Sequence, residues 1–257
     1  MDTASIKITI VSLSYRDKRI IDTIKSAYDN AFNKDSISLS LAIQDSHNHK
    51  VQSFGNSDVV RYHLWDQNMG FARIRSNLVR DSSKDSYLFF ISSATEFKVD
   101  WDVALAELIK KHPNEILSLK DDKFLLDGTL IKKDIFQKIG YPDYLRLMGE
   151  EEDISIRLYA NDYKISSGIE NIINVFDKKE YDYIPFSITH HYNEVWDLYH
   201  NAKNRFADLS DSYEKCIEYA NKYPIKKIYH QLNDVLYLDS EVGELDDLRF
   251  YNHGSRI

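Results

Sequence analysis

Four carboxylates stand side by side in the segment GEEEDISIR, at Glu150, Glu151, Glu152 and Asp153. Adjacent carboxylates repel one another unless some of them protonate, bind a cation or face solvent. In a cleft, one of them could act as a general base and take the proton from a hydroxyl group of an acceptor. At the start of a helix, the four would instead complement the helix dipole. The residue pattern leaves both interpretations open.

A second polar group, SLSYRD, begins at residue 12 and follows a run rich in β-branched residues. The Ser12 hydroxyl, the Tyr15 ring and the Arg16 guanidinium could together hold a nucleoside and its phosphate. The alternative for this group is a helix N-cap. Asp45, after the next predicted strand, could accept a hydrogen bond from a base or a ribose, although such lone acidic residues are more often turn formers.

A third polar group, NMGFARIR, covers residues 68–75. Gly70 permits a close approach of the backbone to a ligand, and a helix that starts here would point its N–H groups at an anion. Arg73 and Arg75 could add charge-assisted hydrogen bonds to a diphosphate. Because residues two apart on a helix do not share a face, we expect only one of these arginines to reach the ligand.

Two adjacent histidines, His190 and His191, lie much later in the chain. One of them could ligate a metal from a loop, although lone histidines are more often structural. Cys216 is the only cysteine, so no disulfide can form within the chain, and a reducing compartment is the natural expectation.

The bulk composition limits the classes of protein to which the chain can belong. The chain has 257 residues, of which 43% are hydrophobic, and this suits one large domain or one domain with an appendage. The net charge of −8 gives no general attraction to nucleic acids or anionic membranes. The apolar run near the N-terminus is too short to span a membrane, and the acidic Asp2 stands where a secretory signal would be basic. We therefore expect a cytoplasmic protein without a membrane span.

Strands and helices alternate along the first half of the chain. Hydrophobic periodicity predicts strands at 6–13, 38–44, 59–63, 86–91, 123–131 and 163–166, and helices at 17–32, 68–80, 103–111, 133–138 and 151–161. This alternation predicts an α/β fold with a mostly parallel central sheet, whose ligands bind at the carboxyl ends of the strands. After residue 178 the pattern becomes helical. We expect a catalytic domain at 1–178 and a helical C-terminal extension at 179–257 that packs on it.

Taken in order, these segments resemble the GT-A glycosyltransferases, and most specifically the Skp1-type and bacterial N-acetylglucosaminyltransferase family. ITIVSLSYRDKRIIDTIKSAYDNA resembles that family's first strand, Ser-Tyr-Arg-Asp loop and first helix. GFARIRSNLV resembles its Gly-x-x-x-Ala-Arg type of helix, and GEEEDISIRLYANDYKI is similar to a block common to many GT-A enzymes. The sequence HHY at 190–192 resembles a late histidine motif, and the resemblance covers residues 5–195.

The chain departs from the family pattern in the stretch FFISSATEFKVDW, at residues 89–101. The family carries an Asp and a His that bind a divalent metal, where this chain has Ser92 and Ala94, with Ser93 between them. A neutral hydroxyl is a poor ligand for Mg²⁺ or Mn²⁺, and alanine provides no ligand atom. Carboxylates lie nearby at Glu96, Asp100 and Asp102, but Asp102 opens the next helix and Glu96 falls past the bend.

Without that metal motif, there are three possibilities for a diphosphate and its negative charge. Arginines could replace the metal, with Arg16, Arg73 and Arg75 as candidates. A metal could be held by His190 or His191, a carboxylate of the 150–153 cluster and the diphosphate itself. The third possibility is an inactive site in a protein that binds a nucleotide, a glycan or a partner, or acts as a scaffold.

The resemblance implies a hexosyl- or pentosyltransferase that moves a sugar from a nucleotide donor, UDP-linked, to a hydroxyl acceptor. Glu151 aligns with the catalytic base of inverting GT-A enzymes, with Glu150 beside it. In a retaining mechanism these carboxylates would position the acceptor or stabilise an oxocarbenium-like charge. Ser92 and Ser93 fall within the donor site, as do the polar residues at positions 12–16, 45 and 70–75. The resemblance gives Trp101, Asp153 and Arg157 acceptor-binding or structural roles, with Arg157 in an ion pair that holds the carboxylate block.

The resemblance leaves the acceptor open among a cell-surface polysaccharide, a protein and a hydroxymethylated base in phage DNA. The DNA acceptor would need a basic groove, which lysines and arginines of the predicted C-terminal extension could supply despite the negative net charge.

Overall fold

The computed structural model describes residues 6–15, 19–44, 60–63, 71–141 and 150–176. In this part of the chain the strands are β1 Ile8–Tyr15, β2 Ile37–Gln44, β3 Val60–His63, β4 Tyr87–Ile91, β5 Thr95–Phe97, β6 Ile116–Ser118, β7 Gly128–Lys132, β8 Ile165–Ser167 and β9 Ile173–Val175. The α-helices are α1 Arg19–Asp29, α2 Phe71–Asp81, α3 Trp101–Lys111, α4 Lys133–Ile139 and α5 Glu150–Ala160. The helical extension predicted at 179–257 lies outside the described residues, so the domain boundary stays a prediction.

Among the residues that the structure describes, seven strands form the central sheet, in the order β3-β2-β1-β4-β7-β6-β8. The pairs β3–β2, β2–β1, β1–β4 and β6–β8 are parallel, and β7 runs antiparallel to both of its neighbours. Strands β5 and β9 form a separate two-stranded antiparallel sheet. The predicted α/β fold with a mostly parallel central sheet is therefore confirmed.

The central strand β4 is buried on both of its faces. Phe89 and Ile91 belong to a core cluster that includes residues of α1 and α3, whereas Leu88 and Phe90 belong to a second cluster with residues of α2, α4 and α5. Side chains alternate between the two faces of a strand, so a continuous apolar run such as YLFFI fits a strand that is covered on both sides. The sheet consequently lies between two layers of helices.

Trp101 lies in the core at the start of α3. Its side chain is fully buried, its indole Nε1 donates to the carbonyl of Ala27 at 2.8 Å, and its ring packs 4.6 Å from that of Phe97 and 6.2 Å from that of Phe89. A ring pair of this kind adds stabilisation beyond its buried area. The contacts of Trp101 thus join α1, α3 and β4.

The strand predicted at 123–131 is correct only in its second half. The structure has a strand from Gly128, while residues 123–127 form an irregular segment. The amide of Phe124 donates to the Ser155 hydroxyl at 3.0 Å, and the amide of Leu126 donates to the Glu151 carboxylate at 2.8 Å. Side chains of α5 thus satisfy these backbone donors in place of a neighbouring strand.

None of the helices that the structure describes is both long enough and apolar enough to span a membrane.

Candidate active site at the carboxyl edge of the sheet

Several chain segments meet where the parallel strands end. Tyr15, the last residue of β1, pairs with Gln44, the last residue of β2. Ile91, the last residue of β4, pairs with Gly128, the first residue of the antiparallel strand β7. The segment that leads into β7 is bound to the first turn of α5 through the Leu126 amide. The carboxylate block therefore lies at the edge where α/β sheets bind their ligands.

The turn after β4 is closed by its own hydroxyl groups. The Ser92 hydroxyl accepts from the amide of Ala94 at 3.2 Å and shares a hydrogen bond of 3.1 Å with the hydroxyl of Thr95. A serine that accepts from the backbone two residues ahead closes a turn as aspartate does in an Asx-turn. Ser92 and Ser93 are both buried. Ser92 thus stabilises the turn that carries the metal motif in the family that the sequence resembles.

The first helix fixes this turn from the side. The Thr23 hydroxyl donates to the carbonyl of Ser93 at 2.9 Å and accepts from the amide of Thr95 at 3.1 Å. Ser12 adds a further link, because its buried hydroxyl donates to the carbonyl of Ile91 at 3.0 Å and so joins β1 to the end of β4. These buried hydrogen bonds hold the end of β4 in one geometry.

The residues of the turn do not fit a divalent metal. The carboxylate of Asp102 accepts from the amides of Phe32 and Asn33, at 2.8 and 2.7 Å, and Glu96 is exposed, with its carboxylate 3.3 Å from the side-chain amide of Asn174. Across residues 6–15, 19–44, 60–63, 71–141 and 150–176, no group of three or more His, Cys, Asp or Glu residues is placed to hold a metal ion. His190 and His191 lie outside these ranges.

Other residues predicted for the donor site are described only in part. Tyr15 lies at the carboxyl edge of the sheet, and Arg73 lies in the first turn of α2. Arg16, Asp45 and Gly70 lie outside the described residues. The assignment of these residues to the donor stays a prediction.

Glu150, the first residue of α5, is buried and receives hydrogen bonds on both carboxylate oxygens. Arg75 Nη1 on α2 lies 2.6 Å from Oε2, in an ion pair whose side chains are 15% and 5% exposed. The Tyr141 hydroxyl, from the segment after α4, donates to Oε1. The pKa of Tyr141 is raised well above its usual range, because burial and the negative charge of Glu150 both disfavour a phenolate. The guanidinium of Arg75, predicted to contact a diphosphate, is bound to this carboxylate.

Glu151 is half-buried and faces the segment that precedes β7. Its Oε1 accepts from the amide of Leu126, and its carbonyl accepts from the Ser155 hydroxyl at 2.6 Å. The same Ser155 hydroxyl accepts from the amide of Phe124. Glu151 is therefore held by the backbone of the loop at the carboxyl edge of the sheet.

Asp153 and Arg157 form an ion pair inside the protein. Arg157 Nε donates to Asp153 Oδ1 at 2.6 Å, with side-chain exposures of 3% and 0%, and Arg157 Nη1 donates to the carbonyl of Ile139 at 2.9 Å. The pair joins α5 to the end of α4. Both side chains are buried, and the acceptor-binding or structural role of Asp153 and Arg157 stays a prediction.

Two contributors to this site were not found from the sequence. Tyr141 stands before a proline in GYPDY, and nothing in that pattern indicates a partner nine residues later. Thr23 lies within an amphipathic helix, where a threonine gives no signal of a contact with a turn seventy residues away. Both contacts depend on tertiary packing.

The chain resembles solved glycosyltransferase structures in its fold. A crystal structure of S. aureus TarS 1–349 in complex with UDP-GlcNAc matches with a TM-score of 0.62 and 13% identity, over 85% of this chain and 73% of that chain. A second structure of TarS 1–349 matches with a TM-score of 0.59 and 13% identity over the same shares. A structure of GalNAc-T7 with UDP, GalNAc and Mn²⁺ matches with a TM-score of 0.59 and 14% identity, over 90% of this chain and 55% of that chain.

The structural similarity is not accompanied by a match in sequence. No family model matches the chain, and no curated protein sequence matches it. The chain spans about half (55%) of the length of GalNAc-T7. At 13% to 14% identity, a structural match shows the fold alone. The topology, together with these matches, shows that the chain has the GT-A fold.

Proposed function

We propose that the chain is a glycosyltransferase that moves a sugar from a UDP-linked donor to a hydroxyl group of an acceptor. The observation that carries this proposal is the position of Glu151, at the carboxyl edge of a GT-A sheet and bound to the loop that enters β7. The structural neighbours support the donor class, since one is a complex with UDP-GlcNAc and another contains UDP and GalNAc.

Glu151 is the candidate for the reacting carboxylate. A general base must reach the proton that it removes, and Glu151 is half-buried, whereas Glu150 is 4% exposed and accepts hydrogen bonds on both oxygens. In an inverting enzyme, Glu151 would take the proton from the acceptor hydroxyl as this hydroxyl attacks the sugar. In a retaining enzyme, it would position the acceptor or stabilise positive charge on the sugar.

The diphosphate leaving group needs compensating charge. The Ser92-Ser93-Ala94 turn offers no good metal ligand. We therefore propose that cationic side chains compensate part of the negative charge of the diphosphate, with Arg16 and Arg73 as candidates. Arg75 is in an ion pair with Glu150. A metal held by His190 or His191 is the alternative.

The acceptor must carry a hydroxyl group, which a polysaccharide, a protein or a hydroxymethylated DNA base can provide. A DNA acceptor requires contacts between basic residues and phosphates, and such binding weakens steeply with salt. Retention on DNA-cellulose at low salt, lost as salt rises, would favour this acceptor. Absence of retention at low salt would leave the glycan and the protein.

A second candidate function is a binding or scaffolding protein that keeps the GT-A fold without catalysis. The observation that favours it is the turn after β4, where hydroxyl and methyl groups replace the metal ligands of the family. Such a protein would bind a nucleotide sugar, a glycan or a partner and would not turn a donor over.

One experiment separates these candidates. The full chain is incubated with a panel of UDP-sugars, with Mn²⁺ or with excess EDTA, and both UDP release and donor binding are measured. Release of UDP from one donor supports the transferase, because hydrolysis by water is the usual side reaction of such an enzyme without its acceptor. Binding without release supports the scaffold, and absence of both contradicts the proposed donor class.

A further inference from the structure

Three separate parts of the chain meet at the carboxylate of Glu150. Arg75 comes from α2, Tyr141 from the segment after α4, and Glu150 itself begins α5. We call Arg75, Glu150 and Tyr141 the Glu150 clamp. The contact between Arg75 and Glu150 spans 75 residues of sequence, so the clamp joins elements that the chain order keeps apart.

The Glu150 clamp fixes the rotation of α5. Successive residues on an α-helix are turned by about 100° from one another. Glu150 is held towards α2 and Tyr141, while Glu151 is held towards the amide of Leu126. Because Glu150 and Glu151 are anchored in different directions, the first turn of α5 is held in a single orientation about the helix axis.

The clamp also compensates the charge of Glu150. Two carboxylates on adjacent residues repel one another, and a buried carboxylate without a partner is costly. The guanidinium of Arg75 places a positive charge beside the carboxylate of Glu150, and the hydroxyl of Tyr141 donates a hydrogen bond to it. The negative charge of Glu150 therefore acts less strongly on Glu151.

We propose that Arg75 and Tyr141 are positioning residues for the transfer reaction. They hold Glu150, and through it they set the orientation and the electrostatic surroundings of Glu151, the reacting carboxylate. This inference rests on the proposed glycosyltransferase function. Arg75 and Tyr141 act through Glu150 and do not themselves touch the reacting atoms.

The most selective test of the clamp is Tyr141→Phe. The ring of Tyr141 packs 5.2 Å from that of Phe136, and phenylalanine keeps this packing while it removes the hydroxyl that binds Oε1. Tyr163→Phe is the matched control, since Tyr163 is a partly buried tyrosine that packs against the same core cluster. Arg75→Met removes the cation, and Arg75→Lys keeps a cation without the planar guanidinium.

The experiment measures kcat and donor KM for UDP release, with the UDP-sugar that the wild type hydrolyses fastest, and the melting temperature of each variant. A displaced reacting group lowers the rate steeply, so we expect Tyr141→Phe to lower kcat by about 10-fold and to leave KM unchanged. Arg75→Met should lower kcat further, and Arg75→Lys should retain more activity than Arg75→Met. The double variant Tyr141→Phe with Arg75→Met should lose less than the product of the single effects, because both act through Glu150.

The outcomes separate the positioning role from the proposed function. If the wild type releases UDP from no donor, the proposed function fails, and the positioning role fails with it. If the wild type is active and Tyr141→Phe matches Tyr163→Phe in kcat, only the positioning role is overturned. A Tyr141→Phe variant that melts earlier but keeps the wild-type kcat also overturns it, since that result describes a structural residue. If Arg75→Met does not fold, Tyr141→Phe and Arg75→Lys decide the result.

Discussion

The hydroxyl group of Thr23 donates to the carbonyl of Ser93 at 2.9 Å, across seventy residues of sequence. The same hydroxyl accepts from the amide of Thr95, so one side chain of α1 satisfies a backbone acceptor and a backbone donor of the turn after β4. Both ends of this contact are buried. Buried hydrogen bonds therefore attach the turn after β4 to α1.

Thr23→Val should lower the free energy of unfolding by about 1–3 kcal/mol, because the isosteric valine cannot form either of the two buried hydrogen bonds that the Thr23 hydroxyl makes with the turn. Chemical denaturation measures this change. Thr9→Val is the matched control, since the Thr9 hydroxyl is buried and has no hydrogen-bond partner in the part of the chain that the structure describes. Thr9→Val should leave stability unchanged or raise it. Equal losses in the two variants would show that the contacts of Thr23 with the turn contribute nothing.

Excess EDTA should lower the rate of UDP release by less than about twofold, because fixed cationic side chains can stabilise a diphosphate in place of a metal. The measurement compares initial rates with EDTA and with added Mn²⁺. Complete loss with EDTA and recovery with Mn²⁺ would contradict this expectation. The variants His190→Ala and His191→Ala would then identify which histidine binds the metal.

Arg157→Met should lower the free energy of unfolding by about 3–5 kcal/mol, because it removes the cation that forms a buried ion pair with the carboxylate of Asp153. The second variant, Arg157→Met with Asp153→Asn, should recover part of this loss, since it also removes the negative charge of Asp153. Lys164→Met is the control for an exposed ion pair, because the lysine of the Lys164–Glu115 pair is 66% exposed. A loss in Arg157→Met no larger than that in Lys164→Met would contradict the structural role of Arg157.

Acid should lower the stability of the fold, partly because Glu115 becomes protonated. Hydrogen bonds from Lys164 and Ser166 lower the pKa of Glu115 from 4.5 to about 2. Since the folded-state pKa lies below the unfolded-state pKa, the stabilisation is present above pH 4.5 and is lost as the pH falls towards 2. Lys164→Met should therefore show a smaller loss of melting temperature over this pH range than the wild type.

High salt provides the control for this acid effect. Glu115 and Lys164 are accessible to solvent, so 1 M salt, with a Debye length of about 3 Å, should reduce the difference between the wild type and Lys164→Met. Identical pH profiles for the two proteins at low salt would show that the Lys164–Glu115 pair does not contribute.

Local patterns in the sequence are sufficient to predict the central elements of this fold. The apolar run YLFFI predicts a strand covered on both faces, and the structure places Phe89 and Phe90 in opposite core clusters. The helix predicted at 151–161 is observed at Glu150–Ala160. These elements follow from periodicity, since burial on each face is set by spacing along one segment.

The contacts within the candidate site could not be predicted in the same way. Two arginines on α2 were equal candidates for a diphosphate, and the ion pair between Arg75 and Glu150 depends on how α2 packs against α5. The segment at 123–127 has the residues of a strand, but the amide of Phe124 binds Ser155 and the amide of Leu126 binds Glu151. Both sets of contacts arise from tertiary packing, which the local propensities of a sequence do not describe.

The most direct test of the proposed function compares UDP release by the wild type with that by Glu151→Gln. Glutamine can still accept the hydrogen bond from the amide of Leu126, so the variant should keep the fold and the donor affinity. A general base contributes about 10²–10⁴-fold to a rate, and we expect a loss of kcat in this range with an unchanged donor Kd. A variant that releases UDP as fast as the wild type would contradict the role of Glu151, and a wild type that binds UDP-sugars without releasing UDP would contradict the transferase.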